Sequence, residues 1–225
     1  MITIRVVTRS NLELFLNGFK DRGLILSALN LFMLGFLEEY PQFPRHAHFW
    51  CDGILGAFFM RVKGKPTSKF AGVFLLRKLI SYHRGDNVSV FGSMTDSARS
   101  LLDAHSLAVI EHYALLEVTN HDLEKGNYEI STGIVFITLP SPKQEILALN
   151  LIEKYPHLKV YCIGGALNML ACPDLDCPAI LRVLGFEFLF RLRTDTKRRL
   201  IRLFQSMLKA LLNCKYLKSA QISID

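Results

Sequence analysis

The feature that most constrains this chain is an alternation. Short β-branched or aromatic runs that stop at a glycine or an acidic turn are followed, several times over, by segments with helical spacing of apolar residues. Ile2 to Val7 reads as a first strand, Asn87 to Phe91 as a strand ending at Gly92-Ser93, Gly133 to Leu139 as a buried strand, and Lys159 to Ile163 as another ending at Gly164-Gly165. Helical patterns fill the intervals at Leu12 to Phe19, Asp96 to Leu107 and Gln144 to Glu153. His48 to Met60 reads as strand, acidic turn and further apolar segment, Leu107 to Tyr113 is ambiguous, and Leu24 to Leu37 reads as a helix. Such alternation predicts an α/β fold, a mostly parallel Rossmann-like sheet flanked by helices with right-handed crossovers. With 225 residues, half of them hydrophobic, the chain can bury a full core. Disorder, collagen and coiled coil are excluded.

Ligands of such sheets bind beyond the carboxyl ends of the strands. Asp52, Gly92, the segment after Leu139 and Gly164-Gly165 are therefore expected to converge on one crevice. Asp52-Gly53 follows the apolar run Phe49-Trp50-Cys51, where a carboxylate has no packing reason to be, and the glycine lets the chain turn sharply. Gly164-Gly165 suggests close approach of backbone to a phosphate. No GxGxxG pattern and no Walker lysine accompany it, which disfavours a nicotinamide enzyme or a P-loop NTPase.

Leu24 to Leu37 is 14 residues broken by Ser27 and Asn30, whereas a spanning helix needs roughly 20. Lys20 and Arg22 precede it, so a signal peptide is a reading to weigh, but Glu38-Glu39-Tyr40-Pro41 follows without a small-residue cleavage pattern. No crossing of the membrane is expected. Five cysteines, an odd number, with Cys162 in a strand-like run, argue against a disulfide framework and for a reducing cytoplasm. Cys172 and Cys177 lack a second ligand pair, and His46 and His48 before Asp52 read as packing or solvent-exposed residues rather than cation ligands.

The net charge of +7 is uneven. Ten Lys/Arg between Arg182 and Lys218 face only Glu187 and Asp195, a local +8 that leaves the remainder near −1. With Arg198 at 0° and about 100° per residue, Leu200, Leu203, Phe204, Met207, Leu208 and Leu211 fall between roughly 140° and 280°, while Arg202, Gln205 and Lys209 cluster near Arg198. The pattern predicts a helix with one apolar and one basic face. Its basic side is either a solvated surface or a partner for anionic lipid headgroups or a diphosphate. The expected organisation is an α/β core over residues 1–190 and a basic C-terminal helical appendage over 191–225.

Taken in order, these motifs resemble the WecG/TagA/CpsF glycosyltransferases, glycosyltransferase family 26. Pro142-Lys143-Gln144-Glu145 resembles the family's P-K-Q-E, and Gly164-Gly165-Ala166 its G-G-A-x-D. Pro178 occupies the proline of R-A-P, and Gly185 to Leu192 resembles G-L-E-W-L-Y-R-L. Asp52-Gly53 is similar to the D-G-x-G-V-V segment with the family's proposed catalytic aspartate, Val90-Phe91-Gly92 to its F-L-L-G-G turn, and Asn30 sits near its early asparagine. The chain departs from the family at Asn168, where Asp is usual, at Asp176-Cys177 and Asp195-Thr196, at Ala28 beside Ser27, and at Thr138-Leu139-Pro140-Ser141, which lacks the family's glycines.

The resemblance implies an inverting transfer of a sugar, N-acetylmannosamine-type or related, from a UDP-sugar to a polyprenyl-diphosphate-linked acceptor at the inner, cytoplasmic face of the cell membrane. It assigns Asp52 as catalytic base. Asn30, Gly53, Gly92, Gln144, Glu145, Gly164, Gly165, Arg191, Arg198 and Arg202 are the expected substrate-binding residues. The arginines would neutralise the leaving diphosphate, so no metal or other cofactor is expected. An anionic membrane surface is an expected partner, a homo-oligomer is left open, and no nucleic acid is expected. Two rivals stand beside this reading. One is a nucleic-acid or anionic-surface binding module, disfavoured because the charge is confined to one tail without an RRM, KH or helix-turn-helix signature; the other is a catalytically degenerate homologue acting as an assembly partner.

Overall fold

The computed structural model describes residues 3–19, 22–115, 117–172 and 219–225. These form one eight-stranded sheet in which every pairing is parallel. The strands are β1 (Thr3–Val7), β2 (Leu24–Leu29), β3 (Ala47–Cys51), β4 (Asn87–Phe91), β5 (Ala108–Tyr113), β6 (Ile134–Ile137), β7 (Lys159–Cys162) and β8 (Gln221–Ile224). Their spatial order is β5-β4-β6-β7-β2-β3-β1-β8. The helices among the described residues are α1 (Leu12–Gly18), α2 (Leu31–Glu39), α3 (Phe43–His46), α4 (Gly53–Val62), α5 (Gly72–Tyr82), α6 (Asp96–Ala104), α7 (Asn120–Lys125), α8 (Lys143–Lys154) and α9 (Ala166–Ala171).

A parallel sheet buried on both faces needs helices on both, and the two sets of core residues show this division. One core joins Val7, Leu26, Trp50, Val90, Phe136 and Tyr161 with α1, α5, α6 and α9. The other joins Ile25, Leu29, Phe49, Phe91, Val135 and Cys162 with α2, α3 and α8. Consecutive strand residues face opposite sides, so Tyr161 and Cys162 belong to different cores.

Leu24 to Leu37 is a strand followed by a helix, not the one helix that its apolar spacing predicts. Leu24–Leu29 is the central strand β2, buried at every position, and the helix α2 starts only at Leu31. A strand covered on both faces shows no alternation, so its six apolar-rich residues merge with the helix that follows. The turn between them is made by Asn30, whose backbone is extended (φ −135°, ψ −178°) and whose side chain accepts a hydrogen bond from the Met33 N–H at 3.0 Å. This is an N-cap, the position where Asn is among the best residues. The ambiguous run after Leu107 is the edge strand β5.

The last described strand, β8, pairs with β1 at the far edge of the sheet, Ile4 opposite Ile222 and Val6 opposite Ile224. Asp225 fastens it: its N–H donates to Val6 O at 2.9 Å, and its Oδ2 accepts from His48 Nδ1 at 2.7 Å. Lys63, just past α4, donates to Ala220 O at 2.9 Å. Residues 219–225 are thus part of the sheet layer. The expected boundary at 190/191 and the basic amphipathic stretch lie outside the described residues.

Candidate active site

The strand order decides where the predicted residues meet. β4, β6, β7, β2 and β3 are consecutive in the sheet, and Gly92, the Thr138–Ser141 segment, Gly164, Asn30 and Asp52 follow them directly. All five therefore line one continuous carboxyl edge. β4 runs on to β5 at the outer edge while its neighbour β6 runs on to β7 toward the centre. Crossovers leaving in opposite directions are the switch point at which open α/β sheets form their ligand crevice.

Asp52 is half-buried at the junction of β3 and α4, with extended backbone (φ −100°, ψ 121°), and it precedes α4 without accepting a capping bond from it. Gly53 then takes φ +75°, a conformation that disfavours any side chain even though open space surrounds it. The glycine is there for the turn. Gly56, one turn on, is required for closeness instead, since a Cβ there would lie 2.1 Å from Leu29 O. That contact presses the start of α4 against the end of β2 and fixes Asp52 beside Asn30. Burial, with Asp52 adding to it, pushes the adjacent Cys51 thiol up to about 11, which removes it as a nucleophile at neutral pH.

Under this edge lies a buried polar cluster. Glu145 is fully buried, and its Oε1 accepts from Ser27 Oγ at 2.9 Å, Gln144 Nε2 at 2.7 Å and Ser141 Oγ at 3.0 Å. Its Oε2 is buried with no partner. Desolvation holds its carboxyl above the usual range, against those hydrogen bonds. Gln144, also buried, turns its Oε1 to the Gly164 N–H at 3.0 Å and its Nε2 additionally to Ser141 Oγ at 2.9 Å. Both predicted substrate contacts thus face protein groups. They position the Gly164 turn (φ +52°), and Glu145 holds Gln144. Gly165 is exposed beside that turn.

Gly92 is placed by contact as well as by conformation. At φ +112° it is buried, and a Cβ would sit 2.6 Å from Thr138 Oγ1. Thr138 in turn donates to Ser93 O at 2.8 Å, locking the ends of β4 and β6 together. Asn168 on α9 completes the edge: its Oδ1 accepts from the Thr95 N–H at 3.1 Å and its Nδ2 donates to Ser93 Oγ at 3.3 Å. An amide can do both, and a carboxylate only the first. That gives Asn168 a local physical reason.

Ser27, Ser141 and Thr138 are members of this edge that the sequence reading did not single out as sites. The available signal was a hydroxyl within an apolar run. His48 is buried between Phe15 and Phe19 and bound to Asp225, while His46 is exposed on α3, so the two do not form a ligand pair. Among the described residues no group of three His, Cys, Asp or Glu side chains is gathered as for a metal ion. A cavity of about 530 Å³ lies between α5, α6 and α9, lined by Arg77, Arg84, Leu101, His105 and Leu170. It opens where α5 and α6 run into the amino ends of β4 and β5, and it includes no predicted site residue. Arg191, Arg198, Arg202 and Cys177 lie outside the described residues.

The ordered motifs and the strand-end geometry meet in one comparison. The profile of the Glycosyl transferase WecG/TagA/CpsF family matches residues 6–221. The chain belongs to that family. It is therefore a glycosyltransferase of cell-surface polysaccharide synthesis, and the match runs from β1 to the first residue of β8. No helix among the described residues is long and apolar enough to cross a membrane.

Proposed function

We propose that this glycosyltransferase transfers a sugar, with inversion, from a UDP-sugar to a polyprenyl-diphosphate-linked acceptor at the inner face of the cell membrane, with Asp52 as general base. The observation that carries this reading is Asp52 at the β3 carboxyl end, held against the end of β2 by the Leu29–Gly56 contact and flanked by the conformationally obligatory Gly53. In the step, the acceptor hydroxyl oxygen forms a bond to the anomeric carbon as the bond from that carbon to the UDP oxygen breaks. The hydroxyl proton passes to the Asp52 carboxylate and the electron pair leaves on UDP. The exposed Gly165 and the Gly164 turn, fixed by Gln144, offer close backbone approach to the diphosphate. Arg191, Arg198 and Arg202 are the residues assigned to neutralise the leaving group, in place of a metal ion.

Asp52→Asn should keep the fold and UDP binding and lower turnover by roughly 10²-fold or more, the scale of general-base catalysis. The assay is transfer from a panel of UDP-sugars to a lipid-diphosphate sugar acceptor, read by mass spectrometry. Turnover within threefold of the unaltered protein removes Asp52 from the mechanism. Activity should also persist in EDTA; its loss on chelation and recovery with Mg²⁺ or Mn²⁺ would overturn the role given to the arginines.

A further inference from the structure

α4, the helix that begins at Asp52, has an outer face with no explanation in the core. Its inner side is fixed by Gly56 against Leu29 and by the fully buried Met60. On the other side Leu55, Phe58 and Val62 are 46%, 62% and 68% exposed. At about 100° per residue these three lie within an arc of roughly 60°, one stripe along the helix. Single exposed apolar side chains are ordinary, but an aligned set on one face marks an interaction surface.

Charge narrows the partner. From Gly53 to Ala71 the chain carries Arg61, Lys63, Lys65 and Lys69 and no Asp or Glu; the cations beyond, Arg77, Lys78 and Arg84, go with α5 on the opposite face of the sheet, Lys78 paired with Glu13. The near-neutral balance outside the basic tail conceals this run. Arg61 and Lys65 are exposed and border the far end of the stripe, whereas Lys63 is turned to Ala220. An apolar stripe with Arg61 and Lys65 at its far end and Asp52 as the acid at its near end complements an anionic lipid surface through that far end, where the apolar side chains enter the headgroup–acyl boundary and the cations meet phosphates. A nucleic acid would engage the cations and leave the stripe in water.

We propose that the outer face of α4 is a membrane-docking surface, seating Leu55, Phe58 and Val62 in an anionic bilayer with Arg61 and Lys65 on lipid phosphates. This rests on the lipid-linked acceptor of the proposed function and supplies its geometry. The same helix starts at Asp52, so docking along α4 holds the base within about one helix length, roughly 15 Å, of the phosphate plane. The surface shares no residue with the basic stretch around Arg198.

The test uses the full chain and flotation with phosphatidylglycerol/phosphatidylcholine vesicles, without donor or acceptor, so that its outcome is independent of transfer activity. Leu55→Ser/Phe58→Ser/Val62→Ser, checked for folding by circular dichroism, should reduce binding at least tenfold. Arg61→Glu/Lys65→Glu should reduce it by roughly tenfold on anionic vesicles and leave the weak binding to pure phosphatidylcholine unchanged. Unchanged vesicle binding in both variants overturns the proposal. So does a dimer in solution that the triple-serine variant dissociates, which would assign the stripe to a second copy of the chain. Loss of vesicle binding with Asp52→Asn still inactivating supports both readings; loss of vesicle binding with no sugar transfer under any condition sustains the docking surface and rejects the reaction.

Discussion

Two polar clusters lie on opposite faces of the sheet at β7, one from Tyr161 through His83 to the exposed Asp86 and one around the buried Glu145, and they are built to different rules. On one side Tyr161 donates to His83 Nε2 at 2.8 Å, and His83 Nδ1 donates to Asp86 Oδ2 at 3.0 Å. Burial lowers the pKa of His83, so the neutral ring is a donor at one nitrogen and an acceptor at the other, and each of these groups has its partner. On the other side, Glu145 takes three hydrogen bonds on Oε1 and none on Oε2. A closed relay fixes packing and asks nothing more of its surroundings. The open cluster stores its unspent hydrogen-bonding capacity directly beneath the carboxyl edge, where it holds the Gly164 turn.

Removing Glu145 has the larger effect. Glu145→Ala leaves Ser27, Gln144 and Ser141 without their buried acceptor, and should cost about 3 kcal/mol or more in chemical denaturation and displace the Gly164 turn. Glu145→Gln retains an acceptor of the same shape and should stay within about 1 kcal/mol near pH 5. Burial raises the Glu145 pKa, so in the native protein this group's contribution falls as pH rises from its unfolded value near 4.5 through the folded value. The Gln variant should therefore gain on the unaltered protein as pH rises above about 4.5.

On the relay side, Tyr161→Phe orphans one imidazole nitrogen and should cost about 1–2 kcal/mol, with activity per folded molecule unchanged. A loss of turnover exceeding the loss of folded protein would erase the distinction between the clusters. The smallest effect is in pH dependence. Both buried histidines have lowered pKa values, His83 through burial and His48 through burial and then the nearby Arg5. Stability should therefore be complete above about pH 6.5 and decline below it, by at most about 1.4 kcal/mol per pH unit for each group. His83→Gln should flatten its part of that slope.

The same contrast explains what could be read from the sequence. Strands ending in a glycine or acidic turn announced themselves, because the turn needs residues that packing does not, and Asp52, Gly92 and Gly164 were found that way. Their convergence followed from the parallel sheet alone. β2 was hidden because burial on both faces erases periodicity. β8 was hidden because four residues, Gln221–Ile224, carry too little pattern beside a basic stretch. Glu145 was legible as an acidic residue in the first turn of a helix, where the dipole favours it, but nothing local signals that this turn is sealed under β2 and β7. Its partners Ser27 and Ser141 stand 114 positions apart in the chain. Tertiary contact of that kind leaves no local trace.

The edge position of β8 bears on how the basic stretch before it can be studied. Cutting the chain at the expected boundary, 190, would remove a sheet strand along with the cationic residues. β1 would then become an open edge, with the main-chain groups that now bind Gln221–Ile224 exposed. His48 would lose Asp225, and Lys63 would lose Ala220. Bare parallel edges are templates for intermolecular pairing, so insolubility of such a fragment would report on β1 and not on membrane affinity. Internal excision that rejoins Cys172 to Ser219 through a linker, or charge reversal in place, keeps the edge covered and isolates the cations as the variable.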